Sequence, residues 1–117
     1  MSKDYIEIAQ SVSDSAAALR GAAPKQMAGF AALGAATYAD EALSPKTKEL
    51  IALAVGIAAR CDGCVAYHAK MALERGADRE EVSEAIGVAI QMGGGPSMVY
   101  GGEALQAYDA FVAHKSA

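Results

Sequence analysis

The sequence has few aromatic residues, no block of basic residues and no long apolar run. Aromatic residues make up 6% of its 117 residues, and the net charge is −4. This composition disfavours nucleic-acid binding, which needs a basic surface. The longest apolar run, residues 50–59, is about half of the roughly 20 residues that span a bilayer. The acidic N-terminus does not have the form of a secretion signal, so we expect a cytoplasmic protein that binds neither nucleic acid nor a membrane.

The apolar residues are mostly small. Hydrophobic residues account for 53% of the chain, many of them alanine, and 12 glycines accompany them. The length predicts a single domain over residues 1–117, but small side chains supply little bulk to its core. We therefore expect the chain to bury further apolar surface against copies of itself.

Apolar residues at helical spacing predict an all-α fold of six helices without a strand. Ser44 is a plausible N-cap and Pro45 suits the first position of the third helix. Gly76 suits the end of the fourth, and the acidic residues that follow Asp78 suit the start of the fifth. The predicted helices cover approximately residues 3–19, 24–39, 45–59, 61–75, 78–93 and 96–114.

Both cysteines and one of the two histidines lie in one short stretch, CDGCVAYHAK. If the third and fourth helices form an antiparallel hairpin that turns near residues 59–60, Glu49 lies within roughly 3 Å of the level of His68. Cys61 lies three residues before Cys64, and His68 lies four residues after Cys64. All three side chains therefore share one helix face. The hairpin therefore predicts a line of side chains in the order Glu49, His68, Cys64, Cys61.

This line of side chains suits thiol chemistry. A helix N-terminus stabilises a thiolate, His68 can accept a proton from Cys64, and Glu49 can orient the imidazole. The second sulfur can convert a sulfenic acid to an internal disulfide. Asp62 opposes thiolate formation, because a nearby carboxylate raises the pKa of a thiol.

Two other interpretations use the same residues. The cysteines can be small core residues of an Ala-rich helix. Alternatively, Cys61, Cys64, His68 and Glu49 are acceptable zinc ligands, although a structural zinc site usually draws a second Cys/His pair and only His114 remains. A c-type haem site is excluded, because Val65 rather than histidine follows Cys64. The thiol interpretation needs neither a metal nor a cofactor.

The segment from Ser44 to Ala77 resembles the core of the carboxymuconolactone decarboxylase superfamily, in particular its alkyl hydroperoxidase D-like branch. That branch carries Glu-x11-Cys-x2-Cys-x3-His, and Glu49, Cys61, Cys64 and His68 match every spacing. The resemblance implies a helical fold with a central antiparallel hairpin that carries the cysteine pair. It also implies a homo-trimer or homo-hexamer.

The resemblance further implies a peroxidase or disulfide reductase without metal or haem, which acts on a hydroperoxide or disulfide and is recycled by an external dithiol. Cys64 would become the sulfenic acid, Cys61 would be proton donor and disulfide partner, and His68 and Glu49 would relay protons. Helix-dipole reasoning alone favours Cys61 as the stronger thiolate, so the order of attack stays open. Gly63 stands where well-characterised hydroperoxidases carry a further relay histidine. The decarboxylase branch lacks the cysteine pair, which disfavours lactone decarboxylation.

Overall fold

The computed structural model describes residues 3–116 and confirms the predicted all-α fold. These residues form six helices and no strand. No helix among them is both long and apolar enough to cross a membrane. The helices are α1 (Tyr5–Ala22), α2 (Pro24–Thr37), α3 (Pro45–Ala58), α4 (Asp62–Glu74), α5 (Arg79–Gly93) and α6 (Gly95–Ser116).

Capping side chains fix where several helices begin. The Ser44 hydroxyl accepts the backbone N–H of Thr47 at the start of α3, as the sequence predicts. Asp78 and Glu81 form a reciprocal capping box at the start of α5. Gly76 takes a positive φ of 90° just after α4, a conformation that glycine adopts without steric cost.

Helix α1 runs past its predicted end. The predicted break after Leu19 is absent, and α1 continues to Ala22, because Gly21 weakens a helix without ending it and Ala23 is the residue that precedes Pro24. At the other end of the chain, α6 begins at Gly95 and extends to Ser116.

The centre of the fold is the antiparallel hairpin of α3 and α4, which confirms the predicted turn at residues 59–60. Arg60 has a φ of 56°, and the Cys61 N–H donates to the Gly56 carbonyl at 3.1 Å, which closes the turn. Helices α5 and α6 pack on this hairpin, and α1 lies across α4 and α6. The core side chains are small except for a few, and the largest that are fully buried are Leu53, Ile57, Val65 and Val82.

Helix α1 packs against Gly63, one of the two residues between the cysteines. A Cβ added to Gly63 would lie 2.9 Å from Val12 Cγ2, closer than packed carbon atoms approach. The stiff, β-branched valine has little freedom to move aside. A glycine at position 63 is therefore what allows α1 to lie against the start of α4.

We predict that Gly63→Ala and Val12→Ala are coupled in stability. Gly63→Ala alone overpacks the contact with Val12, whereas in the Val12→Ala background the new methyl group finds space. Chemical denaturation should show Gly63→Ala to be more destabilising, by about 1 kcal/mol, in the wild-type background than in the Val12→Ala background.

Gly87→Ala is the matched control, because nothing lies within 4 Å of a Cβ at that helical position. Its effect should be the same in both backgrounds. Additive effects of Gly63→Ala and Val12→Ala would contradict the contact.

Candidate active site

The two cysteines lie at the beginning of α4 and are joined by a disulfide bond. Cys61 is the N-cap residue, and its sulfur accepts the backbone N–H of Cys64 at 3.1 Å. Both side chains are half-buried. The Cys61 sulfur thus lies at the positive end of the helix dipole, where an amide already points at it.

Helix α3 brings a buried carboxylate to His68. The Glu49 side chain is 3% exposed, and its Oε1 lies 2.6 Å from Nδ1 of His68, which is 17% exposed. A carboxylate this deeply buried needs such a partner, because an unpaired buried charge is costly. With Nδ1 bonded to Glu49, Nε2 is the ring nitrogen that remains to exchange a proton with another group.

The cysteine pair lies one helical turn from the pair formed by Glu49 and His68. Cys64 and His68 occupy consecutive turns of α4, and α3 comes so close that a Cβ on Gly56 would lie 3.1 Å from the Cβ of Cys64. The structure therefore brings Glu49 to His68 and Cys61 to Cys64, on the hairpin that the sequence predicts. The catalytic roles of these four residues stay predictions.

Two tyrosines enclose His68. The Tyr38 ring stacks on the imidazole with a centroid distance of 6.0 Å, and the Tyr67 ring meets it edge-on at 5.0 Å. Burial, together with the negative charge of Glu49, raises the pKa of Tyr38 above its ordinary value. Tyr38 is not predicted as a site residue, because its contact with His68 depends on how separate helices dock, which helical spacing does not predict.

A cavity of about 330 Å³ adjoins this cluster, and its wall includes Glu49, Tyr38, Tyr67 and Arg75. The cavity is open to solvent, so a small molecule can reach the Glu49 side of the hairpin. Within residues 3–116, no three side chains of the His, Cys, Asp or Glu type lie close enough together to hold a metal ion.

We predict that Glu49→Gln lowers the pKa of Tyr38. The substitution removes a negative charge that opposes formation of the tyrosinate, whereas burial, the larger cause of the shift, remains. The pKa should therefore move toward the ordinary tyrosine value of about 10 without reaching it. Titration of ring-labelled tyrosine by NMR, with Tyr38→Phe to assign the signal, measures this change, and an unchanged or higher pKa would contradict it.

Comparison with known proteins places this site in a family. The model of the carboxymuconolactone decarboxylase family matches residues 24–107. An uncharacterised protein of Cupriavidus necator is 40% identical over 93 residues, which cover 80% of this chain and 82% of that protein. Uncharacterised protein 4 in the cox locus of Paracoccus denitrificans is 40% identical over 80 residues, or 68% and 72% of the two chains.

A solved structure shares the fold. The crystal structure of an apo carboxymuconolactone decarboxylase family protein from Legionella pneumophila superimposes with a TM-score of 0.91 at 41% sequence identity. The match covers 94% of this chain and 98% of that one. The protein belongs to the carboxymuconolactone decarboxylase family.

Proposed function

We propose that the protein is a thiol-dependent oxidoreductase that reduces hydroperoxides or disulfides with the Cys61–Cys64 pair. The observation that carries this proposal is the buried Glu49 carboxylate, bonded to His68 one helical turn from a cysteine pair that forms a disulfide. A proton acceptor next to a thiol and a second thiol within bonding distance are the two requirements of dithiol redox chemistry.

For a hydroperoxide, the reaction consumes two thiol groups. The Cys64 thiolate attacks the terminal oxygen, the O–O bond breaks, and the alkoxide leaves as an alcohol after it takes a proton from His68. Cys64 is then a sulfenic acid. The Cys61 thiol gives its proton to His68, and its sulfur attacks the Cys64 sulfur. The S–O bond breaks as the disulfide forms, and the hydroxide that leaves takes that proton from His68 to become water. Glu49 holds the imidazole and stabilises its cationic form in both steps.

The cycle closes with an external dithiol. One thiolate of the donor attacks the Cys61–Cys64 disulfide, and its second thiol releases both cysteines in the reduced state, so two electrons pass from the donor to the peroxide. A disulfide substrate is reduced by the same exchange in the opposite direction. Gly63 supplies no proton where related hydroperoxidases carry a histidine, which favours disulfide exchange over fast peroxide reduction.

We also propose that the protein is a cytoplasmic homo-trimer or homo-hexamer. No residue of α2 is buried, and Phe30 and Leu33 on this helix are 71% and 63% exposed. Ile51 and Val55 on the outer face of α3 are 50% and 61% exposed. Apolar exposure on two neighbouring helices is what a face that packs against another subunit shows before assembly.

We predict that the two cysteine variants fail at different steps. With a hydroperoxide, Cys61→Ser should accumulate a sulfenic acid on Cys64, which a sulfenic-acid reagent and mass spectrometry detect. Cys64→Ser should accumulate none. Neither variant should turn over with a dithiol donor.

Wild-type protein provides the reference for turnover, and His68→Ala should reduce it by about 10²-fold if His68 moves protons. Full turnover in both serine variants would refute the proposal that the protein is a thiol-dependent oxidoreductase. Formation of the disulfide by peroxide without reduction by any dithiol donor would instead indicate a redox sensor, the alternative without multiple turnover.

If α2 packs against another subunit, loss of its apolar face should lower the mass of the oligomer in solution. Wild-type protein should elute as a trimer or hexamer in gel filtration with light scattering. Phe30→Glu combined with Leu33→Glu should shift it to smaller species, because the charges would be buried between subunits. Ala28→Glu, on the opposite face of the same helix, is the control and should leave the mass unchanged. A monomeric wild-type protein would contradict the assembly.

A further inference from the structure

We propose that Lys3 is a positioning residue of the thiol site. It compensates the charge of Asp62, so that the reduced cysteines ionise readily to thiolates. Asp62 lies between the two cysteines and opens α4. Its carboxylate opposes a thiolate on either side. The inference rests on the proposed redox function, but only on its dithiol chemistry and not on the identity of the substrate.

The contacts of Lys3 support this role. Its Nζ lies 3.1 Å from Asp62 Oδ2 and 2.9 Å from Glu103 Oε1. It also lies 4.8 Å from the centroid of the Tyr100 ring, a cation–π contact. The ammonium group thus bridges the first turn of α4 and the middle of α6, and it is paired with the carboxylate that lies between the two cysteines in the sequence.

The neighbouring residues hold Lys3 in place. Tyr5, which is 3% exposed, donates a hydrogen bond from its hydroxyl to Glu103. Asp4 caps α1 by accepting the backbone N–H of Glu7. The hydrogen bond to Glu103, together with Asp62, raises the pKa of Lys3 above its ordinary value, so its positive charge persists throughout the neutral range. An anchored chain end of this kind fixes the ammonium more firmly than a free surface lysine.

The other ionisable groups near the cysteines do not compensate the negative charge of Asp62. Glu49 is paired with His68, and Glu103 is a second carboxylate that contacts Lys3 and also accepts the Tyr5 hydroxyl. Arg60 precedes Cys61, and no ion pair joins it to Asp62 within residues 3–116. Lys3 is therefore the cation that balances Asp62.

The test measures the reduced thiols directly rather than turnover. After reduction, Lys3→Met should slow alkylation of the more reactive cysteine at neutral pH by about two- to fivefold, the range expected for a partly exposed ion pair. The pH profile of alkylation should move to higher pH. In a glutathione redox buffer, the Cys61–Cys64 disulfide should become harder to reduce, because the thiolate product is less stable.

Four further variants separate charge compensation from a structural role. Lys3→Arg should behave as wild type. Asp62→Asn should speed alkylation, and when added to Lys3→Met it should restore at least the wild-type rate. Lys46→Met is the matched control, because Lys46 is equally exposed and forms a 2.7 Å ion pair with Glu81 away from the cysteines. Lys46→Met should leave the alkylation rate and its pH profile unchanged.

Salt provides a second readout. In about 1 M salt, where the Debye length falls to about 3 Å, the difference between Lys3→Met and wild type should shrink. Circular dichroism shows whether the variants retain their helices. An unchanged rate and pH profile in Lys3→Met, or a loss that Asp62→Asn does not restore, would overturn the proposal. The alkylation rates and their rescue by Asp62→Asn can be interpreted whether or not the protein reduces peroxides.

Discussion

The buried contact between Glu49 and His68 is the constraint on which the site depends. A carboxylate on a side chain that is 3% exposed is tolerated only when a hydrogen-bonding partner compensates for the water it has lost. That partner comes from the other arm of the hairpin, so α3 and α4 must meet in one register. A shift of one residue along either helix rotates a side chain by about 100° and separates the pair. The same register sets where Cys64 lies against Gly56.

Much of this hairpin is readable from the sequence, because it depends on local rules. The N-cap at Ser44, the turn at residues 59–60 and the spacing from Cys61 to His68 together define which side chains share a face. Helix rise, applied to the two arms of the hairpin, predicts that Glu49 and His68 lie near the same level, and the structure shows them in contact at 2.6 Å. Four residues at fixed spacing also suffice to indicate the family, which the comparisons confirm.

The parts that the sequence does not reveal depend on contacts between distant segments. Tyr38 reaches His68 from an irregular segment, and Lys3 reaches Asp62 across 59 residues of the chain. Neither contact leaves a periodic pattern, because each involves one side chain whose position is set by how whole helices dock. The end of α1 was misplaced for a related reason: glycine at position 21 weakens a helix but does not end it unless the following residues prefer another conformation.

The docking of α1 connects the cysteine pair to the beginning of the chain. The two residues between the cysteines both face the N-terminal segment: Gly63 lies against Val12, and Asp62 is bonded to Lys3. A larger residue at position 63 would meet the Val12 side chain of α1, so the residue at this position and the docking of α1 are coupled. Gly63 and the ion pair of Asp62 thus both belong to the contact between the start of α4 and the N-terminal segment. If Lys3 compensates Asp62 as proposed, the segment before α1 supplies electrostatic support next to position 63, where the resemblance places a relay histidine in related hydroperoxidases.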